Sequence, residues 1–185
     1  MVRSNFKRQA ADYYPTPAWC TEALLKVWQP RGTQVWEPGV GSGNIANVLE
    51  AAGYTVIGSD LYEPGAYPEE VGRWPDTIVE DFFEAPARCP AIITNPPYSC
   101  AAKFLRRAIS LTAHSGQVAM LMRNEFDSAA TRQDLFGANT PFAGKVVLTK
   151  RPYWSEDRIA SPRHNFSWFV WDHNHFGDPW LRYAQ

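Results

Sequence analysis

Two adjacent prolines, Pro96 and Pro97, stop the apolar run Ala91-Ile92-Ile93-Thr94. A short aliphatic run with β-branched residues favours an extended strand buried on both faces. Each proline removes a backbone donor and fixes φ, so the strand must end there. A strand that is apolar on both faces needs cover on both sides, as in a parallel sheet flanked by helices. The stretch that follows, 101–112, has the length and spacing of a helix, and 117–122 is again strand-like.

The same alternation runs through the rest of the chain. Thr16 and Pro17 read as N-cap and first-turn proline of a helix over 18–27, with Leu24, Leu25 and Trp28 facing inward. Further strands are expected at 34–36, 54–60, 76–79, 145–149 and 166–171, with a helix over 44–52 closed by Gly53. Residues 62–76 read as a loop, and 151–165 as a long loop inside an antiparallel edge hairpin. The expectation is one α/β domain over 1–185 with an N-terminal arm at 1–17. Its core is a Rossmann-like, doubly wound, mostly parallel seven-stranded sheet with an antiparallel edge hairpin. Such sheets bind ligands at the carboxyl ends of their strands.

Four features lie at that edge. Glu37-Pro38-Gly39-Val40-Gly41-Ser42-Gly43 joins the first strand to a helix, and its glycines allow close approach of a ligand to the backbone. The spacing is G-x-G-x-G, not the G-x-G-x-x-G of dinucleotide sites. Glu37 would repel a pyrophosphate but suits an ammonium, which favours a cofactor bearing an amino acid. An ordinary glycine turn is the alternative. Asp60 ends the second strand, where a carboxylate accepts ribose hydroxyls or serves as a cap. Asp81 and Phe82 suit an adenine amino group and ring, or equally a loop acid and a core aromatic.

The fourth feature is Asn95-Pro96-Pro97-Tyr98. With the proline N–H groups gone, the Asn95 side-chain oxygen and the Pro96 carbonyl remain as acceptors. Acceptors without donors suit an exocyclic amine, whose lone pair they would aim at an electrophile. Tyr98 offers a flat face for a base or an amide.

In this order the motifs resemble the class I methyltransferases that use S-adenosylmethionine, over about residues 13–171. With Tyr14-Pro15-Thr16-Pro17 ahead of the glycine loop, they look most like the adenine-N6 DNA methyltransferases of the gamma order. The resemblance implies S-adenosyl-L-methionine as cofactor. It would be held by Tyr14, Thr16 and Pro17, by Glu37, Pro38, Gly39, Gly41 and Gly43, by Asp60 and Leu61, by Asp81 and Phe82, and by Asn95. It also implies a catalytic turn of Asn95, Pro96, Pro97 and Tyr98, with Tyr98 stacked on a flipped base. The same tetrapeptide occurs in enzymes that methylate RNA or a protein glutamine, so those substrates stay open, as does a non-catalytic cofactor-binding subunit. The sequence leaves no room for a separate DNA-reading domain, so loops or a partner are expected to read the target.

Charge is uneven. Residues 1–99 hold 7 Lys/Arg against 12 Asp/Glu, and residues 100–185 hold 11 against 7. The basic half is expected to face a polyanion, DNA ahead of RNA, or else to be a solvated surface. Lys103, Arg106 and Arg107 share one helix face, and Arg123 and Phe126 follow the strand at 117–122. The 151–165 loop mixes Trp154 with Arg158 and Arg163, a pairing suited to phosphate contact and base stacking. Such limited basic excess suits unpaired targets or weak duplex binding by a monomer or weak dimer. Cys20, Cys89 and Cys100 are scattered, and the four histidines lack ligand spacing, so no metal site is expected. With no signal peptide and no apolar span, a cytoplasmic protein off the membrane is expected.

Overall fold

The computed structural model describes residues 14–61, 72–154 and 164–185. Eight strands form one sheet: β1 Gln34–Pro38, β2 Thr55–Asp60, β3 Ile78–Val79, β4 Ala91–Thr94, β5 Gln117–Arg123, β6 Phe142–Leu148, β7 Phe166–Asp172 and β8 Trp180–Ala184. Their order is β3-β2-β1-β4-β5-β7-β6-β8. Only β7 runs against the others, antiparallel to both β5 and β6. The helices are α1 Ala18–Val27, α2 Asn44–Ala51, α3 Ala101–Leu111 and the single turn α4 Gln133–Phe136, preceded by 3-10 turns at Asn124–Asp127 and Ala130–Arg132.

The central strands alternate their side chains between two cores, as period-two geometry requires. Val35, Ala91, Ile93, Ala119 and Leu121 meet Cys20, Ala23 and Leu24 of α1 and Ile45 and Leu49 of α2. Trp36, Ile92, Val118, Met120 and Met122 meet Phe104, Leu105 and Ala108 of α3 and Leu135 of α4. Of the side chains expected to turn α1 inward, Leu24 is fully buried, while Leu25 and Trp28 lie at the margin.

Two expectations need correction. The sheet has eight strands, not seven, and the antiparallel pair is not its edge. β8 pairs parallel to β6 on the outside, so the edge is Trp180–Ala184. Its indole lies across Gly144, where any Cβ would collide with the Trp180 ring. That glycine, at a bulge in β6, makes room for the aromatic. The second correction concerns the start of α1. Its N-cap is Pro17, with no side-chain cap, and Thr16 is buried with its hydroxyl directed elsewhere.

At the end of the sheet remote from the strand-terminal turns, Arg31 reaches both oxygens of Asp172 at 2.5 and 2.8 Å and the Ser115 carbonyl at 2.8 Å. Gln117 donates to the same carboxylate and accepts from the Arg31 N–H. Burial works against the Asp172 charge, but hydrogen bonds from Arg31, the Asn174 amide and Gln117 outweigh it and hold the carboxyl below its usual range. Among the described residues no helix is long and apolar enough to cross a membrane.

Candidate active site

β1, β2 and β4 end side by side, and their carboxyl ends open on a cleft. Glu37, Gly41, Asp60 and Asn95 line it, with Tyr14 and Thr16 of the arm closing one side. The glycine loop is shaped by backbone geometry. Gly39, Gly41 and Gly43 have φ of 92°, 54° and 82°, a region costly for other residues. Gly39 and Val40 donate to the Ser59 carbonyl, and the Gly41 N–H donates to Asp60 Oδ2 at 2.7 Å. Asp60 thus braces the loop. Leu61, directly after it, is 61 % exposed.

Gly43 has a second reason to be glycine. A Cβ there would overlap the indole of Trp74, which also lies over Gly58. Trp74 donates through Nε1 to Asn47 and through its amide to the Gly41 carbonyl, so it backs the loop from behind. It lies in the stretch read as loop, where proline and glycine hid its packing role.

Glu37 is 2 % exposed, and its Oε2 has no partner. Burial pushes its carboxyl well above the usual range; the Ala46 amide in the first turn of α2 opposes this, and nearby Asp60 adds to it. A buried, unpaired carboxyl is costly unless a cation meets it. The donor set therefore fits an ammonium.

The Asn95 amide has one orientation. Its Nδ2 donates to the Tyr14 carbonyl at 3.3 Å and to Thr16 Oγ1 at 3.1 Å. A main-chain carbonyl only accepts, so nitrogen must face it and oxygen must point away. Oδ1 is left buried with no partner. The Thr94 hydroxyl donates to the Pro38 carbonyl, tying β4 to β1 just before the turn. The Pro97 carbonyl accepts from the Cys100 amide, and Pro96 is buried.

Beside Asn95 stands an aromatic cluster from three distant parts of the chain. Tyr98 lies 5.8 Å from Tyr14, 6.4 Å from Trp154 and 5.9 Å from Phe166. Its hydroxyl is buried beside Asn95, and burial pushes its ionisation far up although Asn95 opposes this. Tyr98 is therefore a neutral phenol, unfit as a base.

Several sequence-level assignments land elsewhere. Phe82, expected against an adenine ring, is 6 % exposed and stacks on Phe104 at 4.0 Å beside Trp36, so it belongs to the core. Asp81 is exposed and accepts from the Phe83 amide at 2.8 Å. Arg106 is paired with Asp134, and Arg107 donates to the Ala85 carbonyl, which breaks up the expected basic face of α3. Lys103 lies 3.9 Å over the Phe83 ring. Phe126 is buried, and the Arg132 guanidinium covers its ring at 4.2 Å. Arg158 and Arg163 lie outside the described residues. Among the described residues no group of histidines, cysteines and carboxylates could hold a metal ion.

No protein-family model matches the sequence, and no curated protein matches it significantly. Solved structures do match the fold. A protein of Pyrococcus horikoshii assigned as an RNA methyltransferase superposes with a TM-score of 0.63 at 16 % identity, over 91 % of this chain and 89 % of that one. A protein of Agrobacterium tumefaciens assigned as an O-methyltransferase gives 0.56 at 16 %, over 91 % and 85 %. The methyltransferase subunit of a type I restriction-modification system from Streptococcus thermophilus gives 0.58 at 13 %, over 88 % of this chain and 45 % of that one. The architecture is the Rossmann-like methyltransferase fold.

Proposed function

We propose that this chain is an S-adenosylmethionine-dependent N-methyltransferase that modifies adenine N6 in DNA, with the target base turned out toward Asn95. The observation that carries the reading is the Asn95 oxygen, buried, unpartnered and aimed by two hydrogen bonds on the amide's other end. The buried Glu37 oxygen in the same cleft supports the cofactor assignment.

S-adenosylmethionine supplies a methyl group on a sulfonium, whose transfer leaves a neutral thioether. The protein's own groups do the rest. Glu37, with its buried unpartnered oxygen, would hold the ammonium as a carboxylate, giving up the proton that burial favours. Asp60, which braces Gly41, would accept from the ribose, and Leu61 and Asp81 would flank the adenine end. Asn95 Oδ1, together with the Pro96 carbonyl, would accept from the target NH2 and orient its lone pair for transfer. Nitrogen gains the methyl and then loses a proton to water, because an alkylated, cationic amine is acidic. No basic side chain is required, which agrees with the neutral Tyr98. Tyr98 and Trp154 provide ring surface for the base.

Methylation of RNA is the second reading, supported by the match to the Pyrococcus horikoshii protein along most of its length. The test offers labelled cofactor to DNA, RNA and protein pools, followed by mass spectrometry of nucleosides and peptides. N6-methyldeoxyadenosine is expected, and label confined to RNA or protein overturns the first reading. Asn95→Ala is expected to lower turnover about a hundredfold, as loss of a pre-aimed polar group does at a transition state. Near-normal turnover would sink the mechanism.

A further inference from the structure

On the other side of the Asn95–Tyr98 turn lies a second cleft, of about 740 Å3, between α3 and the 3-10 turns that follow β5. Tyr98 forms its inner wall and Phe126 part of its floor. Four cations line it, Lys103, Arg106, Arg123 and Arg132, against one carboxylate, Glu125. Their engagements differ. Arg106 is held by Asp134, outside the lining. The Arg123 side chain, at the end of β5, is exposed, and its charge reaches the Tyr98 phenol. Arg132 lies flat on Phe126, and its Nε is buried with no partner. Desolvating a guanidinium donor without an acceptor is costly, and an anion entering the cleft would relieve that cost at Arg132.

The start of α3 adds to this. Cys100, Ala101 and Ala102 line the cleft, no side chain caps the helix, and its first turn holds no acid. The start of this 11-residue helix, positive by its dipole, therefore borders the same space as the guanidinium groups. Helix amides, a buried unpaired arginine donor and two further cations are a set matched to a multi-acceptor anion.

We infer that this cleft grips the phosphodiester next to the target nucleotide, so that the strand passes over the Asn95–Tyr98 turn with base and phosphate on opposite sides of it. The inference rests on the proposed nucleic-acid substrate and names how that substrate is held. Arg132 and Arg123 are the phosphate ligands, with Lys103 and the α3 amides completing the shell. Because the pocket is a recess rather than a surface track, it admits a strand whose backbone can bend into it, and single strands are bound ahead of duplex.

The experiment uses the full chain and a single-stranded oligonucleotide with one target adenine. A neutral methylphosphonate is placed at one linkage in turn on either side of that adenine, and affinity is read by anisotropy. For the wild type one placement is expected to weaken binding about tenfold, in the range of a lost charge-assisted contact. Arg132→Gln and Arg123→Gln are each expected to weaken the all-phosphate strand, to lower its salt slope by about 0.7, and to lose little further at that placement. Calorimetry with S-adenosylmethionine should be unchanged in both variants. The exposed Arg123 side chain can be exchanged without opening the core, which guards against misfolding of the Arg132 variant. Equal effects at every linkage, or variants that bind like wild type, overturn the clamp while leaving the methyltransferase reading intact. If no oligonucleotide binds at all, thermal shift with inorganic phosphate decides. Stabilisation of wild type but not of the double variant keeps the anion site, and its absence rejects it.

Discussion

At the residue scale, two carboxyls respond to pH with opposite sign. Glu37 is pushed up by burial, so the cofactor-free protein binds its proton more tightly than the unfolded chain does. That contribution is present below the unfolded value and is lost as pH rises through the raised folded value. Glu37→Gln should therefore make the cofactor-free protein more stable at neutral pH while weakening S-adenosylmethionine on the order of thirtyfold, read by denaturant melts and calorimetry together. Proton release on cofactor binding, measured in buffers of different ionisation enthalpy, should vanish in the variant. Unchanged affinity would reject Glu37 as the ammonium partner. Thr16→Val removes one of the two acceptors that aim Asn95 and should lower turnover about tenfold with little change in cofactor affinity. A turnover equal to wild type would show that the Tyr14 carbonyl suffices.

At the element scale, the glycine loop is the part most sensitive to small additions. Gly43→Ala would strain a positive φ and drive a methyl into Trp74, and it should cost about 2–3 kcal/mol in a urea titration. Retained stability would mean that Trp74 does not back the loop. α1 was legible in the sequence because its cap-side prolines and apolar spacing agree, and its observed span is Ala18–Val27. β8 was not, because Leu181 and Tyr183 are exposed at the sheet edge and leave no alternating pattern to read. Phe82 was ambiguous for a related reason. An aromatic after an acid at a strand end reads the same whether it faces a ligand or the interior, and only the position of Phe104 and Trp36 decides. Arg132 carried no signal, since 3-10 turns have no period that marks one face.

For the whole molecule, chemistry and anchoring occupy opposite ends of the sheet. Asp172 is held below its ordinary range, so its contribution is present above the unfolded value and disappears as pH falls through the folded one. Asp172→Asn should flatten the acid limb of the stability curve and leave the neutral-pH activity near wild type. A large loss of activity with intact stability would mean that the two ends are coupled. The uneven charge of the two halves of the sequence also takes a more specific form in three dimensions. Much of the positive excess is spent internally, as in the pairing of Arg106 with Asp134 and of Lys145 with Asp127. Of the cations in that half, Lys103, Arg123 and Arg132 line the cleft beside the Asn95–Tyr98 turn.

The lock on Asn95 has a consequence for how such a site is inherited. One of its two acceptors, the Tyr14 carbonyl, is main chain and survives any substitution at that position that keeps the path of the arm. Drift at residue 14 can therefore exchange the ring, and with it the preference for one substrate surface over another, while the amide stays aimed. The orientation of the Asn95 amide is transmitted through the course of the backbone, and the neighbouring side chain is left free to diversify.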